Sequence, residues 1–166
     1  MEIKEYLVGA LADAHRLLGI AAQDLSEDIV HWQPQGTANS IASLLAHIVT
    51  AEDGGINRLL KGGDSLFNSG GWSRKTGIPQ DLAAIWEKSW RLDLAAFEEY
   101  RLAVEASART YVESINLADL DREIPGGRAP RTAASVLRTF AIHHVIGHAG
   151  EISTLKGLQG LKGLPF

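Results

Sequence analysis

The stretch Phe140-Ala-Ile-His-His-Val-Ile-Gly-His-Ala-Gly-Glu151 contains three of the six histidines, in a segment with the apolar periodicity of a helix. His144 and His148 are four residues apart. Because a helix has about 3.6 residues per turn, both rings leave the same face and can converge on one metal ion. A buried, hydrogen-bonded histidine pair is the alternative. His143 points about 100° away from His144 and is the weaker candidate ligand.

Glu151 lies on the same apolar face as this histidine pair. Viewed along the axis of the predicted helix, one face about 80° wide contains Ala133, Leu137, Phe140, His144, His148, Glu151 and Leu155. Polar groups on such a face are costly unless they are coordinated or hydrogen-bonded. We therefore expect a functional site here, with Glu151 either orienting a metal ligand or moving a proton. A salt bridge from Glu151 to Arg58 or Arg138 is the alternative.

The composition is that of one ordinary domain over residues 1–166, with 45% hydrophobic residues and a formal charge of −4. The absence of a basic patch argues against a nucleic-acid partner. The chain has no cysteine, which excludes disulfides, thiolate ligands and a cysteine nucleophile. Neither a signal peptide nor an apolar run long enough to span a membrane is visible, so we expect a cytoplasmic protein without a membrane partner.

Apolar periodicity predicts an all-α protein with four long helices, over residues of about 3–24, 40–61, 80–114 and 132–156. Ser40, or Asn39 beside it, and Thr132 are suitable N-caps for the second and fourth helices. The third helix, of about 35 residues, is longer than a small bundle needs, so it is either kinked or extends into a partner subunit. Trp86 and Trp90, which lie within it, are expected in the core.

Five polar residues of the first half are assigned from their positions relative to these apolar stripes. His47 lies at the edge of the second stripe. Glu52 lies nearer its centre and needs a partner, either histidines across the bundle or a core tyrosine or arginine. Asp53 points outward and is expected to be solvated, as is His15. His31 is expected to be exposed.

Two connections between the helices have recognisable features. Residues 62–80 form the longest irregular stretch, which is typical of a binding loop or of a mobile surface loop. Trp72, Arg74 and Lys75 in it are placed to contact an anionic ligand. Residues 125–127, Pro-Gly-Gly, predict a turn before the last helix.

Two sequence stretches resemble the DinB-like (damage-inducible) superfamily, which is distinct from the DNA polymerase of similar name. They are Trp32-Gln-Pro with Asn39-Ser-Ile-Ala-Ser-Leu-Leu-Ala-His47-Ile, and His143-His-Val-Ile-Gly-His148-Ala-Gly-Glu-Ile152. The resemblance implies a four-helix bundle with up-down-down-up topology, often a homodimer. It also implies a divalent-metal site whose ligands, by position, are His47, His144 and His148. Glu52 and Glu151 have no clear counterpart in the family pattern.

The resemblance also implies candidate activities. Zinc and nickel are among the metals seen in this superfamily, and its better-known members use bacillithiol, mycothiol or glutathione as a thiol cosubstrate. We therefore expect a metal-dependent enzyme acting on a small molecule, either a thiol S-transferase or isomerase or a hydrolase. The position of Glu151, one turn beyond His148, makes it the candidate catalytic group. The alternatives are a non-catalytic metal-dependent binding or stress-response protein, and a dimeric helical scaffold with remnant histidines.

Overall fold

The computed structural model describes residues 2–125 and 130–164, and most of these residues are helical. The α-helices are α1 (Ile3–Ala21), α2 (Glu27–His31), α3 (Ile41–Asp53), α4 (Leu66–Ser69), α5 (Trp72–Thr76), α6 (Leu94–Ser114), α7 (Ala133–Val136) and α8 (His144–Leu158). Short 3₁₀ helices span Leu82–Trp86 and Leu117–Asp121. Strands β1 (Glu123–Ile124) and β2 (Arg131–Thr132) form an antiparallel pair. The Gly126-Gly127 part of the predicted turn lies outside the described residues.

Side-chain caps determine where the long helices begin. The Ser40 hydroxyl accepts a hydrogen bond from the Ser43 N–H at 3.2 Å. The Thr132 hydroxyl accepts one from the Ser135 N–H at 3.2 Å. Each cap satisfies a backbone donor that has no partner within its helix. These two predicted helix starts are therefore confirmed.

Helices α3 and α8 belong to longer helical runs that include π-helical turns. Residues Gly54–Leu60 continue α3 as a π-helix, and residues Leu137–His143 join α7 to α8 in the same way. These two π-helical segments contact each other. A Cβ atom added to Gly55 would lie 2.8 Å from the Cβ of Phe140, so the contact requires glycine.

Replacing Gly55 by alanine is expected to lower the free energy of unfolding by about 1 kcal/mol. The overpacking cost of about 1–3 kcal/mol exceeds the gain of about 0.5–1 kcal/mol from placing alanine in a helix. Gly54→Ala is the matched control, because a Cβ atom there meets nothing within 4 Å. Urea denaturation should show the control equal to or more stable than the parent. Equal stability of the two variants would refute the close contact.

The prediction of one helix over residues 80–114 is wrong before Leu94, whereas its end at Ser114 is confirmed. Residues Leu82–Trp86 form a 3₁₀ helix, and α6 is a separate helix of 21 residues. Asp93 ends the irregular stretch, because its carboxylate accepts a hydrogen bond from the Ala96 N–H at 3.0 Å and caps α6. The inference of a partner subunit from the length of this helix therefore loses its basis. Trp86 is 40% exposed rather than in the core. Trp90 is partly buried and packs against the core.

The apolar faces of the long helices bury two groups of side chains. Helices α1 and α3 each pack against both α6 and α8. The largest fully buried apolar side chains include Leu18, Ile41, Leu45, Ile48, Tyr100 and Ile152. A second group of buried side chains surrounds the π-helical segments, and it includes Leu11, Ile56, Val112 and Leu137. Among the described residues, none of the helices is both long and apolar enough to cross a lipid bilayer.

Asp53 is fully buried, so the prediction that it is solvated is wrong. Its carboxylate accepts hydrogen bonds from the Leu66 and Phe67 N–H groups at 2.9 and 2.8 Å. The Tyr100 hydroxyl and the Asn57 amide donate to it at 2.7 and 2.8 Å. Burial and the adjacent Asp53 charge raise the pKa of Tyr100, which therefore stays protonated as a donor. This carboxylate anchors the start of the segment that follows α3.

Residues 62–80 are packed onto the helices rather than forming an open loop. They contain α4 and α5, and they bury Phe67 and Ile78. Trp72 packs against Tyr100, with ring centroids 5.4 Å apart. The Lys75 ammonium lies 4.2 Å from the centroid of the Trp72 ring. A cation–π contact of this kind gives Lys75 a structural partner.

His15 is buried, so the prediction that it is solvated is also wrong. Its Nε2 lies 2.7 Å from a carboxylate oxygen of Glu52, which is itself 1% exposed. Glu52 therefore has a histidine partner on another helix, which was one of the two kinds of partner expected from the sequence. Burial raises the pKa of Glu52, and the His15 hydrogen bond opposes that rise. His31 is partly buried rather than exposed, and its Nε2 accepts the Leu92 N–H at 3.1 Å.

Candidate metal centre

The structure brings His47, His144 and His148 together from two helices. His47 lies on α3, and the other two lie on consecutive turns of α8. The ring centroids of His47 are 4.6 Å from His144 and 5.2 Å from His148. The rings of His144 and His148 are 4.5 Å apart. We call these three partly buried residues the histidine cluster.

The donor atoms of the histidine cluster fit a divalent ion. One ring nitrogen from each residue lies within 4.8 Å of the other two. The Nε2 atoms of His47 and His144 are 2.9 Å apart. Nitrogens bound to a tetrahedral zinc ion at about 2.0–2.1 Å lie about 3.3 Å from each other, so this pair needs only a small adjustment. The three histidines can therefore hold a metal ion.

The protonation states of the cluster also suit metal binding. Burial, followed by the charges of His148 and His47, lowers the pKa of His144 to about 4. Burial and the charge of His148 lower the pKa of His47 as well. Both rings are therefore neutral near pH 7, which is the form that binds metal. Within the described residues, the buried Nδ1 of His144 has no hydrogen-bond partner.

Glu151 contacts the cluster through His148. A Glu151 carboxylate oxygen lies 2.7 Å from the Nδ1 of His148. In the described part of the chain this is the ion pair that Glu151 makes, rather than one to Arg58 or Arg138. A carboxylate on one ring nitrogen fixes the orientation of the ring and leaves the other nitrogen, Nε2, to act as ligand.

The prediction that Glu151 lies on a buried face is wrong, because its side chain is 57% exposed. The face of α8 that is covered at His144 is open one turn beyond His148, where Glu151 lines a surface groove. His143 is exposed and lies outside the histidine cluster, in agreement with its lower rank among the candidate ligands.

Trp86 is a site residue that sequence reasoning missed. Its ring centroid lies 5.0 Å from that of His47, with the planes tilted by 56°. Ser43, one turn before His47, positions this segment, because its hydroxyl donates to the Ile85 carbonyl at 2.7 Å. The partly exposed indole therefore forms a wall beside the histidine cluster. The Asp93 cap was the available signal that residues 82–92 leave the helix.

The fold and the site together define a class, namely helical proteins with a three-histidine cluster suited to a divalent metal ion. The model of the DinB superfamily matches residues 10–152. The chain therefore belongs to the DinB superfamily, and the resemblance noted from its motifs is confirmed.

A solved structure supports the same fold. The chain is similar to the conserved protein of locus from Enterococcus faecalis, with a TM-score of 0.81 and 20% sequence identity. The similarity covers 95% of this chain and 97% of that one. At this identity the comparison establishes the fold alone. No curated protein sequence matches the chain significantly.

Proposed function

We propose that the chain is a metal-dependent enzyme in which His47, His144 and His148 bind one divalent ion. The observation that carries the proposal is the convergence of three imidazoles within 4.8 Å, beside an exposed carboxylate. Imidazole ligands suit zinc and nickel, which we propose as the metals. A bound ion of this kind lowers the pKa of a coordinated thiol or water, so that it becomes a nucleophile near pH 7.

Glu151 is proposed as both the positioning group for His148 and the proton acceptor. One of its carboxylate oxygens holds the Nδ1 of His148 at 2.7 Å. Since the side chain is 57% exposed, its second oxygen is free to reach a substrate thiol or water. Transfer of that proton to Glu151 would leave the nucleophile charged at the moment of attack.

The proposed reaction is the transfer of a group to a low-molecular-weight thiol or a thiol-dependent isomerisation. Hydrolysis of a small-molecule substrate is the alternative. In the transfer reaction the thiolate attacks an electrophilic carbon, a C–S bond forms, and the leaving group departs with its electron pair. The superfamily membership supports this class, with bacillithiol, mycothiol or glutathione as candidate thiols. A homodimeric state and a cytoplasmic location, both expected from the sequence, stay proposals.

Replacing Glu151 by glutamine is the test of this function. The assay uses zinc- or nickel-loaded protein, each of the three thiols, and monochlorobimane as the electrophile that loses chloride. The parent protein is expected to accelerate the thiol-dependent reaction above the free-metal control. The variant should keep its metal, with affinity lowered by about tenfold, and lose most of the turnover.

The other outcomes of this assay separate the alternatives. Unchanged turnover and metal affinity in Glu151→Gln would make Glu151 structural. Stoichiometric metal without turnover of electrophiles or esters would favour a non-catalytic binding protein. Absence of metal binding would favour the scaffold with remnant histidines.

The up-down-down-up four-helix topology is also proposed. Asp53 and Asn57 contact Tyr100 and Ser107 respectively, at 2.7 Å each. Since later residues of the second helical run meet later residues of α6, these contacts support a parallel arrangement of the second and third long helices.

Three further contacts support the orientation of the last helix relative to the second and the first. Gly55, late in the second helical run, contacts Phe140, early in the last one. The histidine cluster joins earlier residues of the second run to later residues of the last run, which indicates antiparallel helices. The Lys156 ammonium, near the end of α8, donates to the Gln23 carbonyl at 2.7 Å, just beyond the end of α1.

A further inference from the structure

A groove of about 470 Å³ lies directly beside the histidine cluster. It runs between the first turn of α3 and the second half of α8, with residues 34–39 as its third wall. Leu44, one turn before His47, lines it from α3. Glu151, which holds the Nδ1 of His148, lines it from α8. The groove and the cluster therefore share both helices and meet at Glu151.

The walls of the groove are mainly apolar. Pro34 and Ala38 line it from the connecting segment, and Leu44, Leu155 and Leu158 line it from the helices. Leu158 is 63% exposed. A ligand in the groove would cover part of this exposed surface. Burial of apolar ligand surface in such a groove is favourable.

The polar groups in the groove are uncharged, with Glu151 as the exception. Gln35, Asn39 and Thr154 contribute amides and a hydroxyl. None of the described lining residues is a lysine, an arginine or a histidine. Along the groove, away from the proposed metal site, an anionic group would therefore find hydrogen-bond donors but no opposite charge, and Glu151 would repel it. A cationic group would be attracted to Glu151 but would lose hydration against the apolar walls of the groove.

We propose that this groove binds the uncharged, apolar part of the electrophilic substrate. The substrate class is then a neutral molecule whose reactive group reaches the histidine cluster. Its apolar chain or ring lies between α3 and α8, from Glu151 towards Leu158. Those seven residues of helix span about 10 Å, which suits an extended chain of about six to eight carbons. The thiol cosubstrate would lie outside the groove. The statement that the substrate reacts at the histidine cluster rests on the proposed function. The statement that the groove binds an uncharged, apolar group does not.

The groove is tested first on metal-free protein, by amide NMR titration with 1-hexanol, hexanoate and hexylammonium. 1-Hexanol should shift the signals of Ala38, Thr154 and Leu155 saturably, and each charged analogue should bind at least tenfold more weakly. Ala38→Trp should remove the 1-hexanol shifts by filling the groove. Because Ala38 is exposed before the Ser40 cap, this change should leave the fold intact. Ala106→Trp, at an exposed alanine of α6, is the matched control and should leave binding unchanged.

Continuity of the groove with the site is tested on zinc-loaded protein with n-alkyl hydroxamates of increasing length. Their affinity should rise about two- to fourfold per methylene, since a fully buried methylene contributes about fourfold. The rise should be absent in Ala38→Trp and present in Ala106→Trp. Equal binding of hexanoate or hexylammonium and 1-hexanol, or affinity independent of chain length in the parent protein, would overturn the inference. Failure to bind zinc would instead overturn the proposed function, and the 1-hexanol titration would still decide the chemistry of the groove.

Discussion

Replacing His144 by alanine is expected to lower the affinity for zinc by more than hundredfold. His144 is the central member of the histidine cluster, with its Nε2 2.9 Å from that of His47 and its ring 4.5 Å from that of His148. Loss of a group that only supports a ligand typically costs about 10- to 100-fold in affinity, so loss of a ligand should cost more. Isothermal titration of metal-free protein with zinc measures the change.

His143→Ala is the matched control, because it removes the neighbouring imidazole from the same helical run. His143 is exposed and outside the cluster, so this variant should keep the affinity of the parent. Circular dichroism should show that both variants remain helical. Equal zinc affinity of His144→Ala and the parent would contradict the assignment of His144 as a ligand.

Replacing Asp53 by alanine is expected to lower the free energy of unfolding by about 3–5 kcal/mol. The change removes the acceptor of four hydrogen bonds. Three are buried and come from Tyr100, Asn57 and the Phe67 N–H, and the fourth, from the Leu66 N–H, is partly buried. Each donor left without a partner costs about 1–3 kcal/mol unless water reaches it. Urea denaturation of metal-free protein at pH 7 measures the loss.

Two controls separate this effect from a general loss of a charge. Tyr100→Phe removes one of the four donors and should cost about 1–2 kcal/mol. Asp13→Ala removes an exposed aspartate whose ion pair with Arg16 is also exposed, and it should change stability little. A small effect of Asp53→Ala, similar to that of Asp13→Ala, would contradict the role of Asp53 as the anchor of residues 62–80.

The starts of two long helices could be predicted because their signals are local. Ser40 and Thr132 cap the turns that follow them, and the apolar stripes continue from there. The break in the third predicted helix was missed because residues 82–92 are rich in helix-forming side chains. Their conformation is decided by tertiary contacts instead, including the Ser43 bond to the Ile85 carbonyl. Gly77 also matters, since a Cβ atom there would overlap the Arg91 carbonyl oxygen.

The buried polar residues show a different limit of periodicity. Angular position on a helix indicates which face a side chain occupies, but not what lies opposite that face. His15 and Asp53 were assigned to solvent because each lay off the apolar stripe. Glu52 and the start of α4, both distant in sequence, cover these positions and supply their partners.

The candidate site was predictable to the extent that it depends on one helix. The spacing of His144 and His148 placed both rings on one face, and the family motif added His47. Glu151 was placed beside His148 correctly, but its exposure depends on the groove, which forms between distant segments. Trp86 and the groove itself could not be predicted, because both depend on how residues 34–39 and 82–92 pack against α3.

The central claim is that the histidine cluster binds a divalent ion, and a crystal structure of zinc-loaded protein recorded at the zinc edge tests it most directly. The protein should carry no histidine tag, so that zinc bound by a tag is excluded. The expected result is one anomalous difference peak per chain, about 2.0–2.1 Å from a ring nitrogen of each of His47, His144 and His148. A zinc-saturated crystal with no peak between these three residues, or with zinc bound only elsewhere, would contradict the account.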